Sequence, residues 1–337
     1  MAAALPIPVD QSLDLAFRVA QDVPEDAEAF CALSNTLYSR KVKSAYYRWQ
    51  FFQTPFPTVL VFATVHDGRL AGCYGIQVRD SSMGRRSVAM ALDIMVAPPF
   101  QGRGLFRKLA EYAQAQVLPY RPALIYVMAN ERADAAHVKG LGWQRIQVLN
   151  DAVRSTAGAA AHLTGSVVGT AIQSFTAADG DFLSQIAPRN GADKAVRLAR
   201  GARDLQWRLL DNPRYAYQVI RCTASDQCVG FLVLKVFCDP VTGAVYGDII
   251  DVIQRGDDRA IVSDMLALAL GEFERQGIGQ ATVWLASNSI VDEVGRALGF
   301  REIARPRYLS GQLLAAGPSW ALDPRHWHVT MLDTDIY

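Results

Sequence analysis

Apolar and polar positions run through the same succession of rhythms twice along this chain. In the first half, Phe17–Ala20 reads as a short strand. Pro24–Leu37 predicts a helix, because proline is welcome in a first turn and acidic residues follow it. Lys43–Gln53 predicts a second, aromatic-rich helix. Thr58–His66 and Leu70–Val78 read as strands joined by the hairpin turn Asp67-Gly68. Ser87–Val96 is a further strand, entered from a turn at Gly84. A bend at Pro98-Pro99 leads into a glycine loop and a helix from about Gly104 to Val117. Ala123–Ala129 then reads as a strand, Glu131–Lys139 as a helix and Trp143–Val148 as a closing strand. Hairpins followed by a β-α-β unit predict an α/β class: a mixed sheet with helices on both faces.

Displacing the chain against itself by 158 positions aligns Phe17 with Phe175, Trp49 with Trp207, Pro55 with Pro213, Gly72 with Gly230, Asp93 with Asp251 and Asn130 with Asn288. One residue of slippage later, Leu141-Gly142-Trp143 aligns with Leu298-Gly299-Phe300. A single offset held from the start of each half to its end marks a duplicated domain, since the period is too long for a solenoid. The expected division is 1–160 and 161–337, with the join near residues 155–170. A chain of 337 residues, half of them hydrophobic, has the material for two cores.

The formal net charge is +1, with both signs interleaved, so no nucleic-acid or membrane partner is expected. Met1–Phe17 contains no Lys or Arg and lacks the pattern of a secretory signal. The apolar segment Ala157–Ala171 is interrupted by His162 and is too short to span a bilayer. Five irregularly spaced cysteines argue against a disulfide framework or a zinc cage. A cytoplasmic protein without a metal site is the expectation.

The strand Ser87–Val96 and the segment Gln101-Gly102-Arg103-Gly104-Leu105-Phe106 carry the most chemistry. A strand feeding a glycine turn at a helix start exposes backbone N–H groups, which suit a phosphate or pyrophosphate. The spacing is neither that of a nucleotide-triphosphatase loop nor that of a dinucleotide fold. An ordinary glycine-rich connection also fits the loop taken alone.

Val96-x-Pro98-x-x-Gln101-Gly102-Arg103-Gly104 resembles the acetyl-CoA signature of GNAT-type N-acyltransferases, and Asn130 with Leu141-Gly142-Trp143 resembles that family's later segment. Phe106 stands where that signature usually has Gly or Ala. The resemblance implies two tandem GNAT-like domains with acetyl-CoA or another acyl-CoA as co-substrate. Ile94, Met95 and Val96 would pair with the pantetheine arm, and the amides of Gln101, Gly102, Arg103, Gly104, Leu105 and Phe106 would hold the pyrophosphate. Asn130 would face the pantetheine or thioester; a helix cap ahead of Glu131 is an equal reading. In the second copy the loop becomes Arg259-Ala260-Ile261-Val262, which removes both glycines. That copy is expected to be degenerate, shaping an acceptor pocket or serving stability.

Acyl transfer to an amine needs a proton acceptor, oxyanion donors and a leaving thiolate. Strict alternation puts Leu92, Ile94 and Val96 on one face and Asp93 on the other. A carboxylate within an apolar strand is costly unless paired or used, which makes Asp93 the candidate base; Asp251 in the loopless copy favours a structural role equally. The family's usual acid, a Tyr, would fall at Val138, leaving neighbouring His137 as a substitute candidate against a plain surface-helix histidine. In the tail, Trp327–Met331 reads as a short strand and Asp333-Thr334-Asp335 as a solvated turn, with a carboxylate pair for a sugar hydroxyl, an ammonium or a metal as the alternative. The two-copy layout with this tail is similar to bacterial N-acyltransferases acting on nucleotide-linked amino sugars. A small-molecule amine is the expected acceptor. An amino acid or antibiotic acceptor, or a non-catalytic acyl-CoA-binding module, are the alternatives.

Overall fold

A computed structural model describes residues 15–39, 41–83, 86–158, 165–186, 194–239, 242–286, 289–314 and 317–335. The turn expected at Gly84, His162 and the proposed Asn130 counterpart Asn288 lie outside the described residues.

The first half forms β1 (Leu15–Val19), α1 (Pro24–Leu37), α2 (Ser44–Phe51), β2 (Thr58–Val65), β3 (Leu70–Asp80), β4 (Ser87–Val96), α3 (Leu105–Val117), β5 (Leu124–Ala129), α4 (Glu131–Ala135), β6 (Gln144–Leu149) and β7 (Asp151–Ser155). The second forms β8 (Val168–Ile172), α5 (Ala177–Ile186), α6 (Ala202–Leu205), β9 (Tyr217–Ala224), β10 (Gln227–Cys238), β11 (Val245–Gln254), α7 (Arg259–Arg275), β12 (Gln280–Trp284), α8 (Ile290–Ala297), β13 (Arg301–Glu302) and β14 (Arg307–Leu313). Two seven-stranded mixed sheets result, ordered β1-β2-β3-β4-β5-β14-β6 and β13-β7-β12-β11-β10-β9-β8. Each sheet thus takes one strand from the other half of the sequence: β14 lies in the first and β7 in the second. The chain accordingly divides into one compact unit that includes Ser310–Leu322 and another that includes Ile146–Leu309 and the segment from Asp323 onward. The join drawn at residue 160 and the division of contacts differ through this exchange.

In the first unit α3 lays Leu105, Leu109, Ala110, Ala113 and Val117 against Tyr74, Ile76, Ala89, Ala91 and Ile125. The glycines aligned by the repeat share one cause. A Cβ on Gly72 would stand 2.7 Å from the Met95 carbonyl oxygen and 2.9 Å from Leu109, and one on Gly230 would stand 2.3 Å from the Ile253 oxygen and 3.0 Å from Met265. Each glycine lets the sheet close against the helix above it. In the second unit α7 supplies Val262, Met265, Leu266, Ala269, Leu270 and Phe273 to the equivalent core.

The tail departs from expectation. Trp327–Met331 forms no strand; it makes a single bridge, Val196 to Trp327, and then turns at Met331–Asp333. A capping box is the reason: Thr330 and Asp333 satisfy one another's backbone N–H groups and fix a helical turn. Asp333 and Thr334 are buried rather than solvated.

Candidate active site

Gly102 and Gly104 sit at φ +75° and +76°. A Cβ at either would meet nothing within 4 Å, so backbone conformation, not crowding, requires glycine, and the space before the loop is open. Gly104 is the N-cap of α3 and offers no side chain to the first-turn N–H groups. Those donors and the helix dipole therefore face outward together. Such an end suits an anion, and its fit to a pyrophosphate rests on these unsatisfied donors.

The β4 and β5 ladder runs only from Val88/Leu124 to Met90/Tyr126. Beyond it the strands part, and a cleft of about 500 Å³ opens. Ile94, Met95, Val96, Gln101, Gly102, Gly104, Leu105, Phe106 and Asn130 all line it; Arg103 does not. Asn130 Oδ1 accepts the Ala133 N–H at 2.9 Å, so it caps α4 and lines the cleft at once. Gln101 acts as a strut: its Nε2 donates to the Val96 carbonyl at 2.8 Å, and its Oε1 accepts from Arg132 at 2.6 Å. Arg132, Phe100 and Tyr38 also line the cleft and were missed in the sequence, where no motif marks them.

At Asp93 the alternation fails. Asp93 has φ +46°, and β3 pairs Cys73 with Met95 but Gly75 with Leu92, leaving Tyr74 opposite both Asp93 and Ile94. This β-bulge inserts one residue and reverses the parity of β4. Ile94 and Val96 therefore share the face of Ala89 and Ala91 in the α3 core, while Leu92 does not join it. Leu92, Ile94 and Val96 are not on one face, as strict alternation had it. A left-handed aspartate in a strand is rare and strained, and such strain gathers at working sites. Asp93 is half-buried and does not line the cleft, but it directly precedes Ile94, which does. Its Oδ2 accepts from the buried Tyr46 hydroxyl at 2.9 Å, and its backbone oxygen lies 3.3 Å from the Cys73 thiol. Burial, with the charge of Asp93 beside it, pushes that thiol far above its ordinary range, so Cys73 stays protonated.

His137 goes elsewhere. It is fully buried, with Nδ1 2.7 Å from the Ala133 carbonyl and Nε2 3.0 Å from the Tyr74 hydroxyl. The carbonyl fixes the tautomer: Nδ1 carries the proton, and Nε2 accepts from Tyr74. Phe106 and Trp143 pack on the ring. Burial lowers its pKa to about 4. His137 is absent from the cleft wall and is not a surface histidine, because the helix widens to a π-type turn at Ala136–Gly140 and rolls it inward.

The second unit answers the same pattern differently. Asp258 caps α7, its carboxylate accepting from Ala260 N at 2.9 Å and Ile261 N at 3.2 Å. The donors that remain open on α3 are consumed here. Asp251, aligned with Asp93, pairs with Val233 beside a bulge of its own, since the next partner of β10, Leu234, faces Ile249 and Ile250 is left over; its Oδ2 accepts from Arg200 at 2.8 Å. Arg200 also reaches Asp333 at 2.7 Å and the Thr330 hydroxyl at 3.2 Å. The two aligned carboxylates thus have unlike partners, a phenol in one unit and a guanidinium in the other.

Residues 27–143 match the family described as "Acetyltransferase (GNAT) family". No curated protein sequence matches the chain. Among solved structures, a GCN5-related N-acetyltransferase from Anabaena variabilis is similar at TM-score 0.63 and 12% identity, over 88% of this chain and 73% of that one. A tandem GNAT protein from the clavulanic acid biosynthesis pathway is similar at TM-score 0.61 and 14% identity, over 90% of this chain and 99% of that one. The fold is a tandem GNAT fold. A glucosamine N-acetyltransferase region of a fungal multi-domain GH3 beta-N-acetylglucosaminidase is similar at TM-score 0.62 and 12% identity, over 91% of this chain but 38% of that one. Identities this low establish the GNAT fold, not a substrate. No described helix is long and apolar enough to cross a membrane.

Proposed function

We propose that the chain is an acyl-CoA-dependent N-acyltransferase working through the cleft of its first unit. The observation that carries this reading is the uncapped N-terminus of α3, with Gly102 and Gly104 left-handed before it, at the end of a cleft between parting strands. The co-substrate supplies an acyl group activated as a thioester. The N–H groups of the Gly102–Phe106 segment hold its pyrophosphate, the expected Gln101 N–H being already donated to the Pro98 carbonyl at 3.3 Å, and Ile94, Met95 and Val96 flank its extended arm. Asp93 accepts the proton of the attacking amine, and Tyr46 orients its carboxylate. His137 takes no part, because a neutral ring bonded on both nitrogens inside the core reaches no substrate. The second unit holds no acyl-CoA, since Asp258 occupies the place of the phosphates.

A primary amine on a nucleotide-linked amino sugar is the acceptor class we favour, on the two-copy layout and its buried tail. Thiol release from acetyl-CoA tests the proposal, with amino-sugar nucleotides, free amino sugars and amino acids compared. Release that depends on an amine supports transferase activity, and preference for the nucleotide-linked sugar supports the acceptor. Absence of amine-dependent release across the panel would remove the enzymatic reading.

A further inference from the structure

The second unit keeps a cleft where its phosphate end has gone. β11 and β12 pair from Gly247/Ala281 only to Ile249/Val283, and beyond that point a cavity of about 260 Å³ opens. Ile250, Ile253, Trp284, Ala286 and Ile290 give it apolar walls. The tail residues His328–Met331 form a further wall, anchored through the buried Asp333 to the partly buried Arg200. We propose that this cleft is a recognition site for an aliphatic ammonium ion.

Three observations converge on that class. Where the first unit's cleft ends on open N–H donors, this one ends on Asp257, and Asp258 covers the N–H groups of α7. An anion finds no open helix N–H donors at that end and meets the Asp257 and Asp258 carboxylates instead. The charges at the cleft are also unequal. Asp251 and Asp257 line it with Arg197 and Arg200, and behind that wall the buried Asp333 shares Arg200 with Asp251. Arg197 donates to His328 Nε2 at 3.1 Å, which requires a neutral ring, so the histidine adds no compensating charge. With Asp333 included, the balance is one negative charge beside the apolar walls, which a bound cation neutralises. Finally, the volume suits about eight or nine heavy atoms at roughly 30 Å³ each. A short alkyl chain lies along the apolar walls with its ammonium toward Asp257. The inference stands apart from acyl-CoA chemistry.

The test is calorimetric titration of the full chain with hexylamine, hexanol and hexanoate at low salt. Hexylamine is expected to saturate one site about tenfold more tightly than hexanol, with hexanoate weaker still. Asp257→Asn should bring hexylamine about three- to fivefold closer to hexanol, as an exposed carboxylate allows. Ala286→Phe should fill the cleft and abolish binding, and Val291→Phe provides a second filling variant; circular dichroism reports that each folds. Gly104→Asp, in the first unit, should leave hexylamine binding intact. Hexanoate binding as well as hexylamine would overturn the proposal. So would no saturable hexylamine binding, binding that survives a folded filling variant, or loss of binding in Gly104→Asp.

Discussion

His137 offers a quantitative check on the division between buried frame and working cleft. Its pKa falls from the ordinary 6.5 to about 4, because burial penalises the imidazolium. The fold thus holds the neutral ring, while the unfolded chain takes up a proton near 6.5. Wherever the unfolded state binds more protons, stability rises with pH. The contribution is complete above about pH 6.5 and is lost as pH falls toward 4. The whole shift corresponds to about 3.5 kcal/mol, at about 1.4 kcal/mol per unit. Between pH 7.5 and 5.0 the loss is about 2 kcal/mol, in a range where most carboxylates have not begun to titrate. The perturbation is His137→Gln, which keeps a polar partner for Tyr74 but cannot titrate. Denaturant unfolding at the two pH values, followed at Trp143, which packs on this ring, reads the difference. The wild type should lose about 2 kcal/mol more than the variant. Equal losses would refute the reasoning, as would an imidazole signal assigned to His137 that titrates near 6.5 in the folded protein. Burial lowers His328 in the same direction, but that effect is common to both proteins and cancels.

Further expectations concern the cleft and the buried ion network. Asp93→Asn should lower kcat/KM for amine acylation by about a hundredfold or more with little change in acyl-CoA affinity, measured by steady-state kinetics and direct titration. Tyr46→Phe removes a donor to that carboxylate, makes it more basic and should move the acidic limb of the kcat/KM profile to higher pH. Arg132→Ala frees the Gln101 strut and should weaken acyl-CoA binding by about three- to tenfold without altering the acceptor KM. Arg200→Met leaves Asp251 and Asp333 buried together without their shared guanidinium. It should destabilise the second unit by about 3–5 kcal/mol in denaturant unfolding, with partial recovery at low pH as the carboxylates protonate.

Much of the frame could be read from the residues. The Asp67-Gly68 turn, the proline at the head of α1 and the glycines before α3 each act through local backbone chemistry, and local chemistry is legible without a fold. The repeat was equally legible, and Gly72 and Gly230 now have a shared steric cause. What escaped depends on partners distant in sequence. The exchange of β7 with β14 leaves no local mark, because a strand carries the same pattern in either sheet. The bulge at Asp93 upset the facing of Leu92 because period-two reasoning assumes unbroken pairing. His137 looked exposed because an ideal helix would turn it outward, and the wide turn at Ala136–Gly140 is not encoded in any simple spacing. The acidic tail looked solvated until Arg200, far away in sequence, supplied its charge partner.

The central claim is that acyl-CoA binds once, on the open N-terminus of α3. Calorimetric titration of acetyl-CoA into wild type, Gly104→Asn and Gly104→Asp tests it most directly. Asn and Asp are nearly isosteric and tolerate the left-handed backbone of position 104 comparably, so the pair differs mainly in charge. The account predicts one site in the wild type, binding retained in Gly104→Asn within about tenfold, and binding abolished in folded Gly104→Asp. No binding to the wild type, two equivalent sites, or equal affinity in the two variants would contradict it.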